Sequence, residues 1–335
     1  MDRHARTAGN RLSFGLEEGC SVVHFDELAA AARRGDTEFV LQHADDLLLQ
    51  GECPPERVGW VFYYKSDAAL EASRNVLAIA AGEQALTWAE RHQEGDLEGR
   101  VRLVLSYGLL RLGRVAEAAA LLEAFLKGLR RHASWRALED MARFNLGVAY
   151  RHCGRVVEAV QQYRQALLLP ESSPGLHDQV RQNLAWALVL LRDAPAARTE
   201  LEAVADNVRQ TLSLSRLTSL WVDRAALYLL EGDTAGARAA CHQVLEALDE
   251  RERGAHLATT YVTLGRIALA EADRDEARRC SLLARTHAEQ AERWDLHNEG
   301  TRLWVSASEK GGMDRDEEDA LACAARRLVI GRSRK

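Results

Sequence analysis

Two asparagines, Asn145 and Asn183, stand in equivalent places of successive segments, before Leu-Gly and Leu-Ala pairs. A carboxamide carries both a hydrogen-bond donor and an acceptor, so it can pair with the N–H and C=O groups of an extended peptide. Two such side chains on one surface would hold a peptide backbone. The alternative is that both asparagines satisfy polar groups of their own protein.

Arginines and aromatic residues near the asparagines would complete a site for a carboxylate-bearing ligand. Arginine pairs with a carboxylate through two parallel hydrogen bonds, and tryptophan and tyrosine supply apolar anchors. The predicted peptide-binding residues are Arg100, Tyr107, Arg111, Met141, Asn145, Arg151, Gln179, Asn183, Trp186, Asp223, Arg266 and Asn298. The chain has a net charge of −6, so arginines concentrated on one face favour an acidic ligand. The opposing interpretation is that they only keep the groove soluble.

The sequence carries no pattern of a known catalytic site. The P-loop, the H-E-x-x-H zinc motif and the G-x-S-x-G nucleophile motif are absent. The 11 histidines are scattered without metal-ligand spacing. Acidic stretches at 249–252 and 314–319 lack the ligand order of a calcium loop. We therefore predict a protein that is not an enzyme and has no catalytic residue, metal or cofactor.

Small residues recur about every 40 residues and identify the elements that must position these side chains. One series is Ser106, Gly147, Ala185, Ala225 and Gly265, and a second is Ala118, Ala159, Ala197, Ala237 and Ala277. Turn-forming pairs separate the two series, at Gly113-Arg114, Gly154-Arg155, Arg192-Asp193, Gly232-Asp233 and Ala272-Asp273. Features that keep one phase predict stacked helical hairpins, in which small residues let helices approach closely.

Composition agrees with an all-α fold. Proline accounts for only 5 of 335 residues and aromatic residues for 6%, whereas sheets are enriched in β-branched and aromatic types. No apolar run is long enough to span a membrane, and the negative net charge argues against nucleic-acid binding by bulk charge. Six widely spaced cysteines fit free thiols in a reducing cytoplasm, which is the predicted location.

The repeat pattern divides the chain into four parts. They are an N-terminal tail at 1–24, degenerate helical hairpins at 25–99, a regular array at 100–312, and a C-terminal capping helix with a basic tail at 313–335. In the degenerate part, Gly35-Asp36 and residues 73–75 are the expected turns. No linker rich in serine and glycine interrupts the chain, so we expect one elongated domain of about seven or eight hairpins.

One segment carries a specific family resemblance. The run Asn145-Leu146-Gly147-Val148-Ala149-Tyr150 is followed by Gly154, Ala159, Tyr163, Ala166 and Pro170. This order resembles the tetratricopeptide repeat (TPR), although the period is about 40 residues and the common TPR has about 34. The resemblance implies a right-handed superhelical solenoid, whose first helices line a concave groove that binds peptides or protein segments.

The longer period and the two asparagines resemble a narrower group, the bacterial cytoplasmic peptide-pheromone receptors of the Rap, Rgg, NprR, PlcR and PrgX type. In that group a short imported peptide lies in the groove and asparagines hold its backbone, a pattern that Asn145 and Asn183 match. The resemblance implies a quorum-sensing regulator with a second protein as partner, and leaves homodimerisation open. Many such receptors begin with a DNA-binding domain. About 25 residues before the first hairpin are too few for one, so we do not expect direct nucleic-acid binding.

The sequence leaves three functions open. The first is a regulator in which a bound peptide alters a surface for a second protein; a sensor region of a larger regulator, as in MalT-like activators, is a form of it. The second is a constitutive scaffold for the assembly of a protein complex. The third is a Rap-like phosphatase that acts on a response regulator, for which no residue constellation is visible.

Overall fold

A computed structural model describes residues 23–51, 53–173, 175–211, 214–248 and 254–308, and within them every regular element is helical. The helices are α1 (Phe25–Arg33), α2 (Thr37–Leu49), α3 (Val58–Glu71), α4 (Asn75–His92), α5 (Gly95–Arg111), α6 (Val115–Gly128), α7 (Glu139–His152), α8 (Val156–Ala166), α9 (Leu176–Leu190), α10 (Ala194–Thr211), α11 (Leu214–Leu230), α12 (Thr234–Ala247), α13 (Gly254–Ala270), α14 (Arg274–Gln290) and α15 (Trp294–Ser308). Short 3-10 turns cover Pro55–Arg57 and Ala133–Leu138. The predicted all-α solenoid of TPR-like hairpins is confirmed.

The hairpin turns share one backbone design. Gly113 and Gly154 adopt φ values of +73° and +79°, a left-handed conformation that costs glycine little. In four turns the residue with positive φ is followed by an aspartate. The carboxylate of that aspartate accepts a hydrogen bond from a backbone N–H in the first turn of the following helix, a donor that has no partner within the helix. These aspartates are Asp36, Asp193, Asp233 and Asp273. The turns predicted from the sequence within the described residues are all present.

The recurring small residues lie where helices cross. A Cβ atom on Gly147 of α7 would overlap the ring of Tyr163 in α8, a side chain that is fully buried. Gly265 of α13 is equally close to Leu303 of α15. The alanines of the second series are all completely buried, namely Ala118, Ala159, Ala197, Ala237 and Ala277. The period of the sequence therefore follows from helix packing.

Apolar cores join successive hairpins. The largest extends from α4 to α11 and contains Phe125 and Tyr163 as fully buried side chains. Trp135, in the 3-10 turn before α7, stacks on Phe125 with 4.7 Å between ring centroids. Its indole N–H donates to the carbonyl oxygen of Gly95 at 2.6 Å. Separate apolar clusters serve α1–α3 and α11–α14.

The end of the array returns to its early helices. Asn75 donates its backbone N–H to Oε2 of Glu292 at 3.2 Å and its side-chain N–H to the carbonyl oxygen of Glu292 at 3.0 Å. A Cβ atom on Gly113 would lie 3.1 Å from Nδ2 of Asn298, and α15 also contacts α5. We call these contacts the ring junction. They close the array around a central cavity, where the sequence predicted an elongated domain with an extended concave face.

The predicted domain boundaries do not all coincide with the ends of helices. α5 begins at Gly95, so the expected division at 99/100 falls inside a helix, because the repeat template was anchored on Ser106 and did not mark the helix start. The terminal segments at 1–22 and 309–335, with the expected capping helix and basic tail, lie outside the described residues. None of the described helices is both long and apolar enough to cross a membrane.

Candidate ligand-binding site

The inner helices surround a central cavity of about 520 Å³. α5, α7, α9, α11 and α13 each turn polar and apolar side chains into it, and the α14–α15 turn with the start of α15 closes the remaining side. A second cavity of about 260 Å³ adjoins it and shares Arg151, His152, Trp186 and Glu299. A volume of this size is in the range of small-ligand sites.

Most of the predicted peptide-binding residues line these cavities. Those around the central cavity are Tyr107, Arg111, Asn145, Arg151, Gln179, Asn183, Trp186 and Asp223. Arg266 lines the smaller cavity, where its guanidinium lies 5.4 Å from the ring centroid of Trp186. The structure thus brings nine of the predicted side chains together, while their role in binding stays a prediction.

Three predicted residues lie elsewhere. Arg100 pairs with Asp96 on its own helix, at 3.2 Å. Met141 packs against the main apolar core, and Asn298 lies against Gly113 at the ring junction. The prediction assumed one groove along the whole array. Arg100 and Met141 precede the cavity-lining parts of α5 and α7, which begin at Tyr107 and Phe144, and Asn298 faces the α5–α6 turn.

Several cavity residues were not identified from the sequence. They are Gln182, Arg216, Ser219, His256, Arg293, Asp295 and Glu299. Gln182 adjoins Asn183 in the chain, but the prediction took Gln179, Asn183 and Trp186 from this helix and not Gln182. Arg293 and Asp295 reach the cavity through ring closure, a contact between distant parts of the chain that leaves no periodic signal.

The side chains of Asn145 and Asn183, the two asparagines predicted to bind a peptide backbone, differ in their hydrogen bonds. Asn145 is only 5% exposed, lines the cavity, and forms no side-chain hydrogen bond with another described residue. Asn183 donates to the carbonyl oxygen of Gln179, one turn earlier, at 3.0 Å. Gln182 is 7% exposed, and its buried Nε2 has no partner among the described residues. An unmet buried amide costs roughly 1–3 kcal/mol, so a ligand that pairs with Gln182 would remove that cost, and Asn145 offers a second amide at the cavity wall.

The arginines around the cavities differ in the same way. Arg111 donates to the carbonyl oxygen of Leu70 and to the hydroxyl of Ser73. Arg293 pairs with both carboxylate oxygens of Asp295. Two further arginines lie near a carboxylate, Arg216 at 3.7 Å from Asp178 and Arg266 at 3.4 Å from Glu299. Arg151 forms no ion pair with any described carboxylate, and its buried Nε has no partner there. Its Nη2 lies 3.2 Å from Nε2 of His152. Among the arginines that line the central cavity, Arg151 is therefore best able to take an anionic group.

Burial controls the charges beside Arg151. Burial, and secondarily the charge of Arg151, lowers the pKa of His152 to about 4. His152 is thus neutral at pH 7, and a ring nitrogen can accept from the guanidinium. Burial raises the pKa of Asp223 to about 7, although Arg151 acts in the opposite direction. A half-protonated Asp223 balances Arg151 only in part, which leaves the region attractive to an anion.

The described residues offer no group of side chains that could hold a metal ion. The acidic stretches at 249–252 and 314–319 lie outside the described residues. Cys241 and Cys280 are buried in the apolar cluster between α11 and α14, and burial raises the pKa of both thiols to about 12. Their surroundings are those of packing residues.

No protein-family model matches the chain, and no curated protein matches it. Among solved structures, it is similar to a tetratricopeptide repeat protein from Parabacteroides merdae, at 16% identity over 79% of this chain and 98% of that chain, with a TM-score of 0.40. It is also similar to BtubC from P. vanneervenii, at 17% identity over 79% and 91%, with a TM-score of 0.33. For the TPR2AB domain of yeast Sti1 in its pHSP90 complex the identity is 14% over 75% and 99%, with a TM-score of 0.33. Similarities this loose say nothing about the ligand of this chain.

Proposed function

We propose that the chain is a non-catalytic regulator that binds a short acidic peptide in the central cavity and thereby alters its contact with a second protein. The observation that carries this proposal is that Nε2 of Gln182 and Nε of Arg151 are buried without a partner among the described residues, in a cavity that Asn145 also lines. Buried polar groups in proteins are nearly always paired. A ligand with amide groups and a carboxylate would pair with all three.

Each type of cavity residue has a distinct part in the proposed complex. Arg151 takes a carboxylate of the peptide, since charge-assisted hydrogen bonds are the strongest available there. Asn145 and Gln182 pair with the peptide backbone through both donor and acceptor atoms. The half-buried ring of Trp186, which also lines the cavity, supplies an apolar contact for a peptide side chain.

Cavity size favours a short peptide over a folded partner. The central cavity has a volume of about 520 Å³ and lies between the inner helices, so a folded domain does not fit inside. A constitutive scaffold would instead bind its partner on the outer surface of the ring. The proposed regulator agrees with the resemblance to cytoplasmic peptide-pheromone receptors of bacteria, in which the bound peptide controls a protein partner.

The test is selection from synthetic peptide pools, with mass spectrometry of the retained peptides. Two pools of random hexapeptides differ only in a free or an amidated C-terminus, and the acidic content of the retained peptides is also scored. Arg151→Gln is compared with Arg164→Gln, a change at an exposed arginine on α8. We expect acidic or free-carboxylate peptides on the wild type and on Arg164→Gln, with affinity about tenfold or more lower on Arg151→Gln.

The proposal fails if no peptide is retained, or if Arg151→Gln retains the same peptides as the wild type. Retention of a folded protein from host extract by both variants, with no peptide retained, would favour the scaffold. Circular dichroism and the melting temperature of each variant establish that the fold is intact.

A further inference from the structure

The ring junction is a small polar contact between residues far apart in the chain. Glu292 reaches the start of α4, where its carboxylate accepts from the backbone N–H of Asn75 at 3.2 Å. α4 has no N-terminal cap from its own side chains, and the first N–H groups of a helix lack partners within the helix. A carboxylate at that end also interacts favourably with the helix dipole. Glu292 therefore acts as the missing cap of α4.

The contact on the other side of the junction also involves few groups. Gly113, in the α5–α6 turn, lies against Asn298 and the backbone at the start of α15. No apolar cluster among the described residues includes side chains from both α15 and the helices α3–α5. Successive hairpins, by contrast, share apolar cores. A contact of a few polar groups is the part of such an array that opens at the lowest cost.

The junction and the cavity share one short turn. Glu292, which caps α4, is followed by Arg293, whose guanidinium lines the central cavity and pairs with Asp295. Asp295 lines the cavity too and is itself buried. A ligand that contacts Arg293 or Asp295 therefore touches the same turn that closes the ring. Small rotations between stacked hairpins add up along the array, which gives the ring a way to open.

We propose that the ring opens and closes at the junction of Glu292 with Asn75, and that a ligand in the central cavity favours the closed form. The second half rests on the proposed function. A ligand that binds the closed ring more tightly shifts the population toward it, and the outer surface presented to a partner changes with it. The closure is then the step that converts peptide binding into a change of protein contact.

Removal of the cap tests the junction without any ligand. Glu292→Ala is compared with Glu231→Ala, which removes a turn glutamate that pairs with Arg198 between neighbouring hairpins, at 2.6 Å. We expect Glu292→Ala to speed amide exchange in the first turn of α4 by about tenfold and to raise the radius of gyration in small-angle X-ray scattering. Glu231→Ala should change neither quantity. Glu292→Gln, which keeps an acceptor oxygen, should show a smaller effect and covers the case in which the alanine variant folds poorly.

The pool of random free-carboxylate hexapeptides tests the coupling. When the immobilised wild type retains peptides from the pool, the retained mixture should slow exchange in the first turn of α4, and Arg151→Gln should show no such slowing. Retained peptides that leave this exchange unchanged would overturn the coupling. Equal exchange and equal radius for Glu292→Ala, Glu292→Gln and wild type would overturn the junction itself. A pool that is not retained at all counts against the proposed function, and the ligand-free comparison still decides whether the junction opens.

Discussion

The contacts between successive hairpins and the contacts at the ring junction hold the same array together by different means. Successive hairpins share apolar cores with fully buried Tyr163 and Phe125, whereas the junction consists of two hydrogen bonds from Asn75 to Glu292 and the close approach of Gly113 to α15. Apolar burial stabilises roughly in proportion to area. The hairpin stack is thus the permanent part of the fold, and the junction is the part that a ligand can control.

The strongest way to break this comparison is to remove an anchor of the hairpin stack. Trp135 is buried against Phe125 and donates to the carbonyl oxygen of Gly95. Trp135→Ala leaves a cavity and removes the indole hydrogen bond, so we expect a loss of about 3–5 kcal/mol in the free energy of unfolding, measured by chemical denaturation. Leu168→Ala, at a side chain that is 84% exposed, is the control and should change stability little.

A smaller change at a helix crossing should cost less. Gly147→Ala places a methyl group into the ring of Tyr163, and overpacking a tight core costs about 1–3 kcal/mol. In a protein that already carries Tyr163→Leu, adding Gly147→Ala should cost less stability than it does in the wild type, because the ring that the methyl group meets is gone. If Gly147→Ala has wild-type stability, the account of the repeat as a packing pattern is wrong.

The stability of the protein should depend on pH because of the buried carboxyl group of Asp223 in the cavity. The pKa of Asp223 is raised to about 7 from 3.8, so the folded state keeps a proton that the unfolded state loses. Stability contributed by this proton is complete below pH 4 and is lost as the pH rises through 7. Asp223→Asn should therefore be more stable than the wild type at pH 8, by about 4 kcal/mol, and nearly equal to it at pH 4. Denaturation curves at both pH values check this, and a pH-independent difference would contradict it.

The two asparagines sharpen the comparison within the cavity. The side chain of Asn145 forms no hydrogen bond with another described residue, while Asn183 donates to the carbonyl oxygen of Gln179. Asn145→Ala should lower the affinity for a selected peptide about tenfold, and Asn183→Ala should lower it less than twofold. Calorimetric titration of both variants with the same peptide measures the difference. Equal losses would support the sequence-based prediction that the two asparagines act alike.

The parts of the molecule that could be predicted from the sequence are those that repeat. Gly147, Gly265 and the buried alanines such as Ala159 recur because every hairpin solves the same packing problem, so their spacing indicated the fold. The turns followed for the same reason, since Gly154 and the capping aspartates serve one backbone geometry.

The site was predicted only where it follows the repeat. Asn145, Arg151 and Trp186 were placed in the cavity because they lie on inner helix faces of the array. Arg293 and Asp295 were missed because they enter through ring closure, a single contact between distant segments. Asn298 lies at the ring junction, whereas Arg100 and Met141 precede the cavity-lining parts of α5 and α7. Partners such as Gln179 for Asn183 depend on side-chain geometry that spacing does not encode.

Photo-crosslinking of a selected peptide tests the central claim most directly. The peptide carries a benzophenone side chain, and the crosslinked segments are identified by mass spectrometry after proteolysis. A ligand in the central cavity predicts crosslinks to α7, α9 and α11, with the α14–α15 turn as a further partner, and their loss in Arg151→Gln but not in Arg164→Gln. Crosslinks to α8, α10 or α12 that are equal in both variants would place the ligand outside the cavity and contradict the account.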